Sequence, residues 1–417
     1  MRQHVGRVGA LAVALGVGAG VVAAPASALP PDAQDRLDAA KQRIEDSKSV
    51  SVSVNGKNII QHGTATSSAN GTNSRAIARG ANATATADGG NRNVAVAVGN
   101  DSTADASSGD NNLARAAGAG SRARAANGDG NRAIAVRDGS TAFAMNGDHN
   151  DARSIGESAW ASASNGSNNT AVTVGRGSVS RAEDGDGNAA TASGAAAVAI
   201  ARLGNDNTAT ATGQQAEAQA ADGDNNLASA SGDFATAIIN SGDNNTATAS
   251  GTSSVAFIIL GSNNTATATG GFFNQAVVQQ GNDNTAFAGI GDNNFARVNL
   301  GNNNTARADR GDGNIASLLN SSDSTAEAGD GYSNSALVTS STGSTAWARE
   351  GMHNDAHVSN SVSSGALAGR GNNNFAEVNG NFSLAAAGEG SFNTATVNGN
   401  GLVAIAGPGD DNIATAP

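Results

Sequence analysis

Few residues of this 417-residue chain have the types and spacing that chemistry requires. His353 and His357 are four residues apart, a spacing found in metal sites. The alternation of the residues around them, however, places His357 on the outer side of a strand and His353 in a turn. There is no cysteine, and serine recurs along the chain instead of marking one nucleophile. We therefore predict no catalytic residue, no cofactor and no enzyme activity.

An acidic column is the second candidate for chemistry. Six aspartates hold equivalent positions in a column that Ser167 and Asn205 interrupt: Asp110, Asp129, Asp148, Asp186, Asp224 and Asp243. Carboxylates stacked one repeat apart repel each other, and a calcium ion along that edge would relieve the repulsion. The repeats lack the Gly-Gly-x-Gly-x-Asp spacing of calcium-binding β-rolls. We interpret these residues as turn residues that tolerate left-handed geometry, and we predict no metal site.

All these residues belong to one short repeat: Asn or Ser, any residue, Ala, any residue, then Ala or a β-branched residue. One series starts at Ser74 and recurs at every nineteenth position to Asn264, then at every twentieth position to Ser364, and at every nineteenth again to Leu402. A second series lies halfway between, from Ala83 to Asn412, and each series has eighteen members. A fixed period of this length is typical of a solenoid whose stacked repeats bury each other.

The alternation within each repeat distinguishes the inside from the outside. Alanine occupies the third position almost without exception, whereas the intervening positions hold residues such as Arg124, Asp151 and Glu377. Successive residues of a strand point to opposite faces, and these charged residues could not be buried unpaired. We therefore predict an all-β fold: a parallel β-solenoid with two strands per coil, 19–20 residues per coil and about eighteen coils. At ~4.8 Å per coil, the stack is roughly 85 Å long.

The core composition changes along the chain in a way that supports this fold. In the second series, the inward alanine becomes Ile239 and stays Ile, Val or Leu as far as Val397. The longer coils lie inside that same region. A wider coil with a larger core residue is a consistent pairing, which a disordered chain would have no reason to keep.

The N-terminal residues have the pattern of an export signal. Arg2 and Arg7 precede an apolar segment from Leu11 to Val22, and Ala26-Ser27-Ala28 resembles a cleavage site. We predict a signal peptide over residues 1–28, a cap over 29–60 and the solenoid over 61–417. Within the cap, the spacing predicts a short amphipathic helix over 32–48 and a strand-like segment from Val50 to Ile60.

The charge restricts the partners. The net charge is -12, and removing the two arginines of the signal segment makes it -14. That acidity argues against nucleic acid as a partner. No later segment has the length and hydrophobicity of a membrane anchor. We therefore expect a secreted protein that is extracellular or associated with the cell surface.

A threonine-rich face stands out among the outward positions of the first series. Its coils carry Thr or other small uncharged residues, and the threonines are Thr170, Thr191, Thr208, Thr210, Thr246, Thr248, Thr265, Thr267 and Thr285. Regular Thr-x-Thr ranks on a flat solenoid resemble the ice-binding surface of β-solenoid antifreeze proteins. The alternative is that Thr is simply a favourable outward strand residue.

The unit Gly-x-x-Asn-x-Ala resembles the curlin-type repeat of bacterial amyloid fibre subunits. It occurs at Gly109-Asp-Asn-Asn112-Leu-Ala114, and the fuller form with Gln occurs at Gln279-Gln-Gly281-Asn-Asp-Asn284-Thr-Ala286. The resemblance covers nearly all of residues 74–416, although the second Gln of each curlin repeat is missing. It implies an extracellular two-strand β-solenoid that forms fibres.

Three functions remain in view. We expect first a structural protein of the cell surface or extracellular matrix that self-associates through its last motif, namely Asn412, Ile413, Ala414, Thr415 and Ala416. The second is ice binding by the threonine face. The third is an adhesin or display stalk that contacts cell-surface components through outward aromatic residues, namely Trp160, Phe257, Phe295, Trp347 and Phe375.

Overall fold

The computed structural model describes residues 48–417, which fold into two facing sheets of short strands. Sheet A contains β1 (Val50–Val54), β2 (Lys57–His62), β4 (Arg75–Arg79), β6 (Val94–Val98), β8 (Leu113–Ala117), β10 (Arg132–Val136), β12 (Asp151–Ser154), β14 (Thr170–Thr173), β16 (Ala189–Ala192), β18 (Thr208–Ala211), β20 (Leu227–Ala230), β22 (Thr246–Ala249), β24 (Thr265–Thr269), β26 (Thr285–Gly289), β28 (Thr305–Asp309), β30 (Thr325–Tyr332), β32 (Thr345–Met352), β34 (Gly365–Gly369), β36 (Leu384–Gly388) and β38 (Val403–Ala406). Sheet B contains β3 (Thr66–Ser68), β5 (Thr84–Thr86), β7 (Thr103–Ser107), β9 (Arg122–Ala126), β11 (Thr141–Met145), β13 (Trp160–Ser164), β15 (Val179–Glu183), β17 (Val198–Arg202), β19 (Glu217–Ala221), β21 (Thr236–Ile239), β23 (Val255–Leu260), β25 (Gln275–Gln280), β27 (Phe295–Asn299), β29 (Ile315–Leu319), β31 (Ser335–Thr339), β33 (Asp355–Ser359), β35 (Phe375–Asn379), β37 (Thr394–Val397) and β39 (Ile413–Ala416).

Each coil contributes one strand to each sheet, and successive coils pair in parallel without slipping. On sheet A, for example, Ala133 of β10 lies opposite Ala152 of β12, and on sheet B Ala142 of β11 lies opposite Ala161 of β13. The stack from β4 and β5 to β38 and β39 comprises eighteen coils. The predicted parallel two-strand β-solenoid is therefore confirmed.

The N-terminal end of the stack has a different topology. Strand β1 pairs antiparallel with β2 and, on its other edge, antiparallel with β4. Parallel stacking on sheet B begins with β3, which pairs with β5. The predicted signal peptide at residues 1–28 and the predicted helix at 32–48, apart from Lys48, lie outside the described residues. Between residues 49 and 417 there is no helix, and so none that could cross a membrane.

The core is a thin layer of alanine, as the alternation predicted. Inward residues such as Ala247 and Ala266 are fully buried, while their outward neighbours are half-buried or exposed. The larger inward residues of sheet B, from Ile239 to Val397, are also fully buried. The layer is continuous because each coil covers the alanines of the coil before it.

Three inward positions break the alanine rule with a hydroxyl side chain. Ser180 Oγ donates to the carbonyl of Val172 at 2.7 Å, and Thr173 Oγ1 donates to the carbonyl of Trp160 at 2.8 Å. Both residues are fully buried, and so is Ser154. The hydroxyls of Ser180 and Thr173 donate to backbone carbonyls, and these hydrogen bonds offset the cost of burying them. The structure gives no partner for Ser154 Oγ among the described residues.

Asparagine residues that directly precede the strands form a hydrogen-bonded ladder from coil to coil. The ladder runs along sheet A in the first part of the stack and along sheet B in the last part. The backbone N–H of Asn112 donates to Oδ1 of Asn93 at 2.9 Å, and Asn112 Nδ2 donates to the carbonyl of Gly128 at 2.8 Å. The same pattern continues to Asn304 on sheet A and, from Asn274 onward, on sheet B. The side chains stack coil on coil, and apart from the last coil their hydrogen-bond partners are backbone groups.

The change of coil length begins close to the point where the ladder extends to sheet B. The segment from Asn245 to Ser254 advances nine residues, whereas the segment from Asn264 to Asn274 advances ten. The longer turn appears where the sheet B strand start changes from Ser or Ala to Asn. A 19-residue coil therefore consists of a nine-residue and a ten-residue segment, and a 20-residue coil consists of two ten-residue segments. The extra residue therefore lies in the turn.

Glycine in these turns is required by the close approach of successive coils. Gly109 has φ +146°, and a Cβ at that position would overlap the carbonyl oxygen of Gly128 in the next coil. A residue with a side chain would therefore separate the two coils and break the ladder beside them.

The inside–outside assignment generates a first prediction. Replacing Ala247 with Leu should lower the free energy of unfolding by about 1–3 kcal/mol, because the facing alanine layer has no room for three more carbons. Replacing Thr267 with Lys, on the outer face of the adjacent coil, should change it by less than about 0.5 kcal/mol. Chemical denaturation of both variants checks the ranking, and a Thr267→Lys effect larger than that of Ala247→Leu would contradict it.

Candidate interaction surfaces

The acidic column is a hydrogen-bonded ladder. Asp129 Oδ1 accepts the backbone N–H of Asp110 at 2.7 Å, and Asp148 Oδ1 accepts that of Asp129 at 2.8 Å. Ser167 and Asn205 fill the same role where the column lacks Asp. One oxygen of each carboxylate is thus committed to the turn of the preceding coil. Among residues 48–417, no group of three acidic or histidine side chains is arranged to hold a metal ion.

The two histidines lie apart, as their positions in the repeat predicted. His353 is in a turn with φ 56°, whereas His357 lies on the outer face of β33. The His357 ring is 3.2 Å from Thr339 Oγ1 through Nε2 and 3.8 Å from Glu377 Oε1 through Nδ1. Next to it, burial raises the pKa of Asp355, although a hydrogen bond from Ser335 and the nearby His357 oppose that shift. No sequence pattern marks this cluster, because its members come from three different coils.

The nine predicted threonines all lie on the outer face of sheet A. They form two ranks that run along the stack. The first rank contains Thr170, Thr208, Thr246, Thr265 and Thr285, and the second contains Thr191, Thr210, Thr248 and Thr267. The coil spacing is ~4.8 Å, and the distance between ranks along a strand is ~6.8 Å. The structure therefore brings these residues together on one surface, the hydroxyl face, in which Ala189 and Leu227 interrupt the first rank.

A third rank of hydroxyl residues extends this face, and sequence reasoning missed it. It consists of Ser193, Thr212, Ser231, Ser250 and Thr269, which follow or end the strands of the same coils. Backbone hydrogen bonds such as that from Thr212 N–H to the Ala230 carbonyl, 2.9 Å, keep these positions aligned. These residues occupy the sixth position of the repeat, one residue beyond the five-residue motif. Continuing the alternation by that one residue would have predicted that they face outward.

The hydroxyl face has charged boundaries. On the N-terminal side, Asp151 is paired with Arg132 and Arg153. On the C-terminal side, the Arg307 guanidinium lies 5.4 Å from the centre of the Phe287 ring and pairs with the fully buried Asp309 at 2.7 Å. Outward strand positions of sheet A from Thr170 to Thr285 carry no charged side chain. The face is thus an uncharged patch between two ion-paired clusters.

The outward aromatic residues are half-buried and do not form one surface. Trp160, Phe257, Phe295 and Phe375 lie on sheet B, whereas Trp347 lies on sheet A. An arginine covers each tryptophan: Arg181 lies 4.4 Å from the Trp160 ring centre, and Arg349 lies 4.3 Å from that of Trp347. These Arg–Trp pairs were not predicted.

The last coil exposes hydrophobic side chains. Ile413, Ile405 and Val403 are 79%, 63% and 59% exposed. Ala395 of the preceding coil is fully buried, whereas its equivalent Ala414 is only partly buried against the core. Thr415 is exposed beside Ile413. This coil has the geometry of all the others, but no described strand covers its outer side.

The residues of the last motif are held by the coil before them. Asn412 donates its backbone N–H and Nδ2 to Asn393 Oδ1, at 3.0 and 2.9 Å. The Asn398 N–H donates to the carbonyl of Ala416 at 2.8 Å. The residue equivalent to Asn398 in the last coil is Pro417, which has no N–H to offer to a further strand.

Comparisons with known proteins do not extend this description. No protein-family model, no curated protein and no solved structure matches the chain.

Proposed function

We propose that this protein is a secreted, non-enzymatic structural repeat protein of the cell surface or extracellular matrix, and that it self-associates through its last coil. The observation that carries the proposal is the regular stack of eighteen coils ending in exposed Ile413, Ile405 and Val403. Secretion rests on the sequence pattern of residues 1–28.

In the last coil, the inward alanines are only partly buried and the ladder Asn side chain has an acceptor without a partner among the described residues. A further coil would bury Ala414 and Ala416 as completely as their equivalents Ala395 and Val397. It would also give a donor to Asn412 Oδ1, which accepts no hydrogen bond from any described residue. An edge strand with free backbone groups and an apolar surface is a template for a strand of another molecule. A second copy supplies chemically matched strands.

The resemblance to curlin-type repeats supports the same function. In this chain, the ladder that joins the coils consists of Asn side chains, whereas the curlin repeat also contains Gln. The physical requirement is the same in both, since an amide side chain offers both a donor and an acceptor. Amide ladders of this kind favour stacks that can continue from one molecule into the next.

A double variant at the edge tests self-association. Ile413→Lys with Thr415→Pro adds a charge and removes a backbone donor from the outer side of β39, and both changes block strand addition. The mature chain should show concentration-dependent sedimentation, and this variant should sediment as a monomer. Ile315→Lys, on the exposed face of sheet B far from the end, should behave like the mature chain. A mature chain that stays monomeric at high concentration would contradict the proposal.

Ice binding is a second candidate, which the hydroxyl face favours. Three aligned ranks rich in Ser and Thr form an uncharged array, with Ala189 and Leu227 in the first rank. Such an array holds water molecules at fixed spacings, since each hydroxyl both donates and accepts. The likeness to β-solenoid antifreeze proteins rests on this arrangement of Thr-x-Thr.

Ice recrystallisation measurements test the second candidate. The mature chain should slow recrystallisation, and Thr248→Lys should abolish the effect, because a long charged side chain interrupts the centre of the array. Ser317→Lys, at an outward position of sheet B, should leave the effect unchanged. Normal ice growth in the presence of the mature chain would exclude this function.

A further inference from the structure

A trough crosses the outer face of sheet A near the C-terminal end of the stack. Its volume is about 440 Å³, and it runs over β32, β34, β36 and β38. The floor consists of Leu367, Ala386 and the glycines that follow them on each strand. Trp347 forms one wall and Ile405 the other. The trough exists because Gly369, Ala386 and Gly388 on the two middle coils are smaller than Trp347 and Ile405 on the coils to either side.

A charged rim follows one long side of the trough. Arg370 lies between two glutamates, at 3.5 Å from Glu350 and 2.8 Å from Glu389, and all three residues line the trough. At the wall, Arg349 pairs with Glu327 at 3.5 Å while its guanidinium stacks on Trp347. Each arginine of the trough therefore has a glutamate partner. The four charged residues that line the trough, namely Arg349, Glu350, Arg370 and Glu389, carry no net charge.

These features restrict the ligand. The compensated rim disfavours a charged ligand, because binding it would break an existing ion pair. The rim nevertheless offers hydrogen-bond donors on Arg370 and acceptors on Glu350 and Glu389 beside an apolar floor. A ligand that fits needs one apolar face, a polar edge and no net charge. Neutral sugars have this form, since the C–H groups of a pyranose ring make an apolar face and its hydroxyls lie around the edge.

We propose that the trough binds a neutral oligosaccharide, with its C–H faces on Leu367, Ala386 and Trp347 and its hydroxyls toward the Glu350–Arg370–Glu389 rim. The length of the trough favours a chain over a single sugar, since three coil spacings between Trp347 and Ile405 amount to ~14 Å. An apolar peptide would cover the floor, but its side chains would offer no hydroxyl groups to the rim. The trough shares Ile405 with the exposed surface of the last coil, but its other residues lie on the outer face of sheet A and not on the open edge of β39.

Tryptophan fluorescence provides a direct test, because the chain has only two tryptophans. In a Trp160→Phe background, Trp347 is the only reporter, and it lines the trough. We expect saturable changes in its fluorescence with at least one of cellohexaose, maltohexaose and chitohexaose. Ala386→Leu, which fills the floor, should weaken that binding at least tenfold. Ala189→Leu, also at an outward position of sheet A but many coils away, should leave it unchanged.

Melting temperatures of both leucine variants, and sedimentation of the background protein, separate loss of the site from loss of the fold or of self-association. The proposal fails if none of the three hexasaccharides gives a saturable change in a folded protein. It also fails if Ala386→Leu binds as tightly as the background protein. Equal binding of a galacturonate hexamer would refute the neutral-ligand assignment, and saturation by a neutral hexapeptide alone would make the trough a peptide site.

Discussion

The asparagine ladder is the interaction on which the rest of this structure depends. Alanine supplies little apolar area per residue, so the core cannot by itself hold short strands in register. Each ladder Asn instead fixes the position of the next coil through its Oδ1 and of the next turn through its Nδ2, as Asn112 does with Asn131 and Gly128. The Asn131 N–H is buried and the Gly128 carbonyl is partly buried, and a coil shifted by one residue would leave both unpaired. Register is thus imposed at every coil by hydrogen bonds that no alternative alignment can satisfy.

Because the ladder and the alanine layer lie inside, the outer positions are free to vary. The chain uses that freedom differently along its length. Sheet A carries an uncharged hydroxyl face between Thr170 and Thr285, then an ion-paired cluster around Asp309, then the trough beside Trp347. The interactions proposed above all belong to outward positions or to the last coil. The buried residues determine the solenoid fold, and the outward side chains determine which interactions we propose for each part of the surface.

Much of this architecture could be predicted from the sequence because the repeat is short and strict. The invariant Ala and the variable charged positions indicated which side of each strand faces in, and the nine threonines were placed on one face correctly. Other features could not be read from the pattern. The antiparallel pairing of β1 with β4, the backbone partners of the ladder and the stacking of Arg349 on Trp347 depend on geometry between coils. The trough was missed for the same reason, since it arises from differences in side-chain size across four coils.

One substitution in the ladder tests the central claim most directly. Asn226 accepts the Asn245 N–H at 3.0 Å and donates through Nδ2 to the Gly242 carbonyl. Replacing Asn226 with Ala leaves the buried Asn245 N–H and the partly buried Gly242 carbonyl unpaired. This should lower the free energy of unfolding by about 1–4 kcal/mol and abolish hydrogen-exchange protection at the Asn245 amide. The adjacent Asn225, exposed in the turn with φ 58°, should tolerate replacement by Gly with little change. Equal stability of Asn226→Ala and Asn225→Gly, with Asn245 still protected, would contradict this account.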